Sequence, residues 1–207
     1  MIQDYLRRDD GYLDLSGLGL TAIPEICKLM SPEDLTIIQF LNLAKNKIRI
    51  IDQDLSCLGN LRVLNLNDNE ISEVVRLGSL PELEELLLER NELEQADEIA
   101  QMDLPALEKL NLAYNNLKQV ANLDRFKNLS VLDLQHNALE SLVGVENLEK
   151  LQELKVEFNN LTDIPFLNKL KSLQSVKTEG NNLKDSITNE VKAIEDKYTN
   201  SLYPGKA

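Results

Sequence analysis

The sequence contains few of the residue types that build metal, nucleotide and catalytic sites. It has one histidine, two cysteines, eight glycines and no tryptophan in 207 residues. A single histidine excludes any two-histidine metal site, and neither cysteine lies in a Cys-x-x-Cys pair, so zinc has no set of ligands to start from. Glycine-rich loops that bind nucleotide phosphates are also missing. We therefore expect no metal, no cofactor and no enzyme activity.

Positive charge is scarce, and long apolar runs are absent. Lysine and arginine total 22 against 35 aspartates and glutamates, which gives a net charge of −13. Such a charge repels nucleic-acid backbones and anionic lipid surfaces, so we expect no nucleic-acid partner and no membrane association. No run reaches the length of a membrane-spanning helix, about 18 apolar residues, and the N-terminus lacks the apolar segment of a signal peptide. We expect a cytoplasmic protein, or a nuclear one.

Cysteine and aromatic residues are also rare. Cys27 and Cys57 are too few to form the disulfide framework of a small secreted scaffold, so a reducing compartment is the simpler interpretation and predicts two free thiols. Aromatic residues make up 4% of the chain, although 43% of it is hydrophobic. The core must therefore be mostly aliphatic.

Leucine, by contrast, is abundant and regularly spaced. The pattern Leu-x-Leu-x-x-Asn-x-Leu recurs in eight copies at steps of 22 to 28 residues, and only the first step is 28. This period is that of leucine-rich repeats, about 20 to 29 residues. The two leading positions of the copies are Leu13 and Leu15, Leu41 and Leu43, Leu64 and Leu66, Leu86 and Leu88, Leu110 and Leu112, Leu132 and Leu134, Leu154 and Val156, and Val176 and Thr178.

One asparagine recurs at the same place in seven copies, and Leu18 replaces it in the first. In this geometry the side chain points inward where the chain leaves the sheet, and its amide can satisfy backbone groups that no strand reaches. We interpret this asparagine column as structural rather than as a metal or glycan site. It consists of Asn46, Asn69, Asn91, Asn115, Asn137, Asn159 and Asn181.

The pattern predicts an α/β leucine-rich repeat solenoid. Since one repeat cannot bury its leucines alone, stacked repeats form a continuous core under a curved parallel sheet of about eight strands on the concave face. Apolar residues at every third position after each strand favour 3-10 or short helical turns on the convex face. The insertion in the first step contains Ser31 followed by Pro32, which predicts a short helix capped by Ser31.

The whole chain, 1–207, is interpreted as one domain. Residues 1–12 are expected to form an N-terminal cap, residues 13–183 the eight repeats, and residues 184–207 a capping helix. The helix is predicted from one apolar stripe, with Ser186 as its cap and Pro204-Gly205 as its end. The stripe consists of Ile187, Val191, Ile194 and Tyr198.

The stretches 69–88 and 137–154 resemble the 22-residue intracellular class of leucine-rich repeats, which includes the leucine-rich repeat regulatory subunit of type 1 protein phosphatase. The resemblance implies a protein-binding scaffold or regulatory subunit, with a phosphatase as one candidate partner. The opening segment 13–24 also resembles repeats of bacterial effectors, so a recognition module of a secreted bacterial effector is the alternative. A purely structural spacer is a third interpretation.

Alternation along each strand separates core leucines from the residues of the concave face. On three consecutive repeats Tyr114, His136 and Phe158 occupy the same position, which predicts an exposed aromatic column, although the rings could instead only shield the asparagine turn. The acidic residues beside this column suit a partner protein with a basic, partly apolar patch. We expect the chain to be a monomer. The other predicted partner-binding residues are Leu87, Glu89, Arg90, Asp133, Glu157, Phe40 and Tyr12.

Overall fold

Each repeat contributes one three-residue strand to a parallel sheet in the computed structural model, which describes residues 11–120 and 122–202. Eight strands lie side by side in this order: β1 (Tyr12–Asp14), β2 (Phe40–Asn42), β4 (Val63–Asn65), β6 (Glu85–Leu87), β7 (Lys109–Asn111), β8 (Val131–Asp133), β9 (Glu153–Lys155) and β10 (Ser175–Lys177). They pair in one unbroken register, with Leu13 beside Leu41 and Leu132 beside Leu154. The predicted fold and register are confirmed.

The core is a single column of mostly aliphatic side chains behind this sheet, with Phe126 and Phe166 among them. The central leucines of the strands, such as Leu86 and Leu110, are completely buried. Apolar residues at three-residue spacing, from Leu139 to Leu151, fill the space between the sheet and the convex side. There the chain forms turns, two 3-10 segments (Leu123–Arg125 and Leu167–Lys169) and a short helix, as the spacing predicted.

A second sheet, which the repeat pattern does not predict, lies on the convex side. It pairs β3 (Ile50–Ile51) with β5 (Glu73–Val74) in parallel. In the next repeat, helix α3 (Asp97–Ala100) stands where a third strand would extend the sheet. The step from Leu86 to Leu110 is 24 residues against 22 for the step before it, so this repeat has two extra residues at the helical turn.

The insertion in the first step forms two short helices, α1 (Ile26–Leu29) and α2 (Pro32–Ile37). The predicted cap of α2 is confirmed, because the Ser31 hydroxyl accepts a hydrogen bond from the backbone N–H of Asp34 at 3.2 Å.

The prediction of free thiols was wrong: Cys27 and Cys57 form a disulfide, with Cα atoms 5.7 Å apart. The two residues are 30 positions apart in sequence, yet stacking places α1 against the turn that carries Cys57 in the next repeat. A Cα–Cα distance of 5.7 Å lies within the range that a disulfide bridges. Counting cysteines could not reveal this proximity, because it depends on where the inserted helix packs.

The C-terminal helix α4 (Asp185–Leu202) covers the last repeat and contacts β10. Ile187 and Val191 are buried against the core and Ile194 is partly buried, as the apolar stripe predicted, whereas Tyr198 is 38% exposed. Ser186 lies inside the first turn and does not precede the helix, so its assignment as the cap was wrong. Tyr12 belongs to β1 and not to an N-terminal cap. The rest of the predicted cap and Pro204-Gly205 lie outside the described residues.

The asparagine column ties the repeats together through its amides. Asn115 Nδ2 donates to the carbonyl of Leu112 in its own repeat at 3.1 Å and to that of Leu88 in the preceding repeat at 3.0 Å. Its Oδ1 accepts from the backbone N–H of Leu93, also in the preceding repeat, at 3.0 Å. The other six members bridge adjacent repeats in the same way. The predicted structural role is confirmed.

Replacing Asn115 by Ala is expected to lower the free energy of unfolding by about 1 to 3 kcal/mol, because buried backbone groups of two repeats lose their partner. Asn116→Ala is the matched control, since this neighbouring side chain is exposed. Urea denaturation of both variants measures the difference. Equal losses would mean that the column does not carry the inter-repeat bonds.

Candidate protein-binding face

The concave face is formed by the residues that flank the buried leucines of each strand. In β7, for example, Lys109 and Asn111 are half-buried on either side of Leu110. The ladder of backbone hydrogen bonds continues past the ends of the strands: the N–H groups of Tyr114 and His136 donate to the carbonyls of Gln135 and Glu157 at 2.9 and 2.8 Å. The face therefore extends to the carboxyl edge of the sheet.

Side-chain oxygens support the turn at the ends of five of the eight strands, beginning with Asp14 in β1, whose Oδ1 accepts from the backbone N–H of Ser16. The Oδ1 atoms of Asn42, Asn65, Asn111 and Asp133 each accept a hydrogen bond from the backbone N–H two residues further on. Such bonds favour turns over extended chain. The alternation along each strand predicts that these residues lie on the concave face but does not predict this role, for which the recurring Asn or Asp at the last strand position is the available signal.

The residue before each column asparagine has a left-handed backbone. Its φ is +54° at Tyr114, +51° at His136 and +53° at Phe158, and the first and last copies have Gly17 and Gly180 at this position. The left-handed region costs residues other than glycine about 1 to 2 kcal/mol, so the turn is maintained by the hydrogen bonds around it.

This conformation directs the three rings of the aromatic column (Tyr114, His136, Phe158) into one stack. The ring centroids of Tyr114 and His136 are 4.2 Å apart with an interplanar angle of 14°, and those of His136 and Phe158 are 4.4 Å apart at 17°. The guanidinium of Arg90 lies over Tyr114, 4.6 Å from the ring centroid. The predicted column exists as a stack, in which neighbouring rings cover each other's faces and leave their edges outward.

The far end of the stack lies against Gly180. A Cβ atom at this position would lie 2.5 Å from Phe158 Cδ1, closer than real contacts allow. Phe158 nevertheless remains 47% exposed, and Tyr114 is 37% exposed. The column thus combines a fixed position with an exposed apolar surface.

Acidic groups lie beside the column, and some have partners. Glu89 Oε2 accepts a hydrogen bond from Asn111 Nδ2 at 3.2 Å. Lys155 Nζ lies 3.2 Å from Glu153 and 3.8 Å from Asp133. Glu157 Oε2 is buried with no hydrogen-bond partner among the described residues.

Two side chains of this region, Asp133 and Lys155, have pKa values that are shifted by partial burial and by their neighbours. Burial raises the pKa of the Asp133 carboxyl above its usual range, although the N–H of Gln135 and the charge of Lys155 act in the opposite direction. Partial burial lowers the pKa of Lys155, but the hydrogen bond and charge of Glu153, together with nearby Asp133, outweigh burial and raise it. The ionised form of Asp133 is thus penalised here, and an added cation would relieve the penalty.

The structure separates the predicted binding residues into two groups. Leu87, Glu89, Arg90, Asp133 and Glu157 lie on the same or neighbouring repeats as the aromatic column. Tyr12 and Phe40 instead form a tilted ring pair on the first two strands, with centroids 6.1 Å apart. Three strand spacings separate β2 from β7, about 14 Å, so one small contact cannot cover both groups.

Neither a metal site nor a membrane span is found in the part of the chain that the structure describes. Residues 11–120 and 122–202 contain no group of three or more His, Cys, Asp or Glu side chains that could hold a metal ion. Over the same residues, no helix combines the length and apolar character needed to cross a membrane.

Comparison with known proteins supports the geometry. A family model described as leucine rich repeat matches residues 81–139. An internalin C2 from Listeria monocytogenes superposes with a TM-score of 0.69 at 28% identity, over 75% of this chain and 68% of that one. A leucine-rich repeat protein of Leptospira interrogans gives 0.69 at 30% identity, over 88% of this chain and 53% of that one. The chain has the leucine-rich repeat fold.

Two curated relatives share part of these leucine-rich repeats. The type-2 geranylgeranyl transferase alpha subunits of Rattus norvegicus and Bos taurus are each 36% identical, over 85 and 78 residues. The chain spans 15% and 13% of their lengths. The functional domain of InlJ from Listeria monocytogenes, which includes a cysteine ladder, superposes with a TM-score of 0.64 at 25% identity, over 84% of this chain and 36% of that one. These likenesses concern the repeats.

Gly180→Ala is expected to destabilise the protein more than Gly17→Ala. Both glycines have a left-handed backbone, at φ +73° and +68°, so both changes cost about 1 kcal/mol in conformational strain. Only at Gly180 does the new Cβ also displace the Phe158 ring, since nothing lies within 4 Å at Gly17. Thermal unfolding compares the two variants, and equal melting temperatures would contradict the described contact of Phe158.

Proposed function

We propose that the chain is a non-catalytic scaffold that binds a partner protein through the aromatic column and its acidic surroundings on the fourth to seventh repeats. The observation that carries the proposal is the exposed stack of Tyr114, His136 and Phe158. Its rings do not contribute to the leucine core, and their left-handed backbone has a conformational cost. A binding role explains why aromatic side chains occupy these turns.

The stack has the physical properties of a binding hot spot. Aromatic side chains bury a large area at low rotamer cost, and stacking already restricts these rings before a partner arrives. The guanidinium of Arg90 lies over Tyr114 at one end of the stack, and Gly180 lies against Phe158 at the other end. A partner therefore meets a preformed surface.

The surrounding charge favours a basic, partly apolar partner patch. The chain carries a net charge of −13, and Glu89, Glu153 and Glu157 are half-exposed beside the column. A lysine or arginine of the partner would supply both a donor and a compensating charge. A regulatory subunit that binds a phosphatase is one form that this scaffold could take, and the chain would act as a monomer.

A second candidate is the recognition module of a secreted bacterial protein. Two observations favour it: the likeness to solved Listeria and Leptospira repeat proteins, and the disulfide between Cys27 and Cys57. Disulfides persist mainly in oxidising compartments. The cytoplasmic location expected from composition stays a prediction, and the disulfide opposes it.

Replacing Tyr114 and Phe158 together by Ala is expected to weaken partner binding by about 2 kcal/mol or more, because the hot spot loses both outer rings. The measurement is affinity capture from the native cell with quantitative mass spectrometry, followed by titration of the recovered partner. Glu94→Ala with Lys118→Ala is the control, since both side chains are exposed and follow the asparagine turn. If the control pair weakens binding equally, the partner contacts another surface.

The cellular compartment of the protein can be tested by the oxidation state of Cys27 and Cys57. Alkylation of the protein under acid quench in its native cells, followed by mass spectrometry, counts free cysteines. Two protected cysteines are expected in an oxidising compartment, where reduction would also remove about 2 to 4 kcal/mol of stability. Two alkylated cysteines would support the cytoplasmic prediction and contradict the secreted alternative.

A further inference from the structure

The aromatic column (Tyr114, His136, Phe158) has no open ring face at either end. The repeats follow one another along the sheet, so Arg90 lies on the repeat before Tyr114 and Gly180 on the repeat after Phe158. The guanidinium carbon of Arg90 lies 4.6 Å from the centroid of the Tyr114 ring. At the other end, a Cβ atom on Gly180 would lie within 3.0 Å of three atoms of the Phe158 ring. The protein itself therefore closes both ends of the stack.

The closed faces exclude two ways in which a partner could bind the rings. A lysine or arginine makes a cation–π contact only over a ring face, and a partner ring can extend a stack only from an open end. The inner faces are not accessible either, because neighbouring ring centroids are 4.2 and 4.4 Å apart and leave no room for another ring. The exposed surface of the column, 47% of Phe158 and 37% of Tyr114, therefore consists mainly of ring edges.

The ring edges favour a particular chemical group. The quadrupole of an aromatic ring is negative on its faces and positive along its edge, where the C–H groups lie. Two groups complement such an edge: an anionic oxygen, and the face of another aromatic ring in an edge-to-face contact. The net charge of −13 and the half-exposed Glu89, Glu153 and Glu157 repel an anion. The face of an aromatic ring therefore suits the column better.

The acidic residues nearest to the rings in sequence lie on the concave side of the column. Glu157 directly precedes Phe158, and Glu89 holds the equivalent position on the repeat before Tyr114. On the opposite side, the residues that directly follow the column asparagines of the three aromatic repeats carry no charge. A basic side chain of the partner is therefore favoured on the concave side of an aromatic one. The uncharged residues are Asn116, Ala138 and Asn160.

We infer, on the basis of the proposed function of the column, that its partner is anchored by an aromatic side chain with a lysine or arginine close by. The face of the partner's ring lies across the outward edges of the column in an edge-to-face contact. The basic side chain extends toward Glu157 on the concave side. A basic residue alone or an aliphatic residue alone cannot make both contacts, so the column selects for the pair.

The test compares three peptides of the sequence Lys-Gly-X-Gly-Lys, in which X is phenylalanine, cyclohexylalanine or arginine. Cyclohexylalanine is close to phenylalanine in size and hydrophobicity but has no aromatic quadrupole, and arginine supplies a cation. Each peptide is titrated into the protein to millimolar concentration, and the ring protons of Tyr114, His136 and Phe158 are followed by NMR. Protons that point at an aromatic face shift upfield because of its ring current, so the titration measures geometry as well as affinity.

The phenylalanine peptide is expected to bind about threefold or more tightly than the other two and to shift the column protons upfield. Tyr114→Leu with Phe158→Leu keeps both positions apolar but removes their ring edges, so this double variant should lose the preference. Val143→Ala is the control, since it changes an exposed apolar side chain that follows the asparagine turn, and it should keep the preference. Thermal unfolding checks that both variants are folded.

Equal or tighter binding of the cyclohexylalanine or arginine peptide at the column would overturn the aromatic anchor but leave the column as the binding surface. Tighter binding of the phenylalanine peptide without upfield shifts, or a preference that survives in the leucine variant, would overturn it as well. If no peptide shifts the column protons, the aromatic anchor is wrong. Capture of the partner by the variant with Ala at both Tyr114 and Phe158 then decides the proposed function independently.

Discussion

The amide of the recurring asparagine is the interaction on which the rest of the molecule depends. Leucine burial drives the repeats to stack, but it is non-directional and does not determine how each chain segment leaves the sheet. The asparagine does so with bonds of defined geometry: one amide nitrogen serves carbonyls of two repeats, and one amide oxygen serves an N–H of the preceding repeat. Because those backbone groups are buried, leaving them unpaired would cost more than the bonds contribute.

The surface features follow from that turn. A left-handed residue comes directly before each column asparagine, so whatever side chain occupies this position is aimed at the edge of the concave face. In the fifth to seventh repeats that side chain is a ring, and the constant spacing of the rungs brings the rings into contact. The regular repeat therefore fixes where the candidate site lies. The residue type at this one variable position determines whether the site is aromatic.

Periodicity allowed the sequence to predict the sheet well, and irregular segments much less. Eight strands and their register followed from the spacing of leucine pairs such as Leu110 and Leu112, because any other register would expose them. The disulfide and the convex sheet depend on how non-repeating segments pack, which no period encodes. The position of the aromatic column was predictable, but its stacking was not, since the left-handed backbone at Tyr114 shows only in three dimensions.

The disulfide joins the first two repeats at one end of an array in which each repeat touches only its neighbours. Such arrays open by fraying from their ends, and a covalent link across the first junction makes that end costly to open. The opposite end is held by non-covalent contacts of its helix, among them the packing of Ile187 and Val191 and an ion pair between Lys177 and Glu195. Unfolding should then propagate in one direction, from the last repeat inward, and the aromatic column lies closer to the end that opens first.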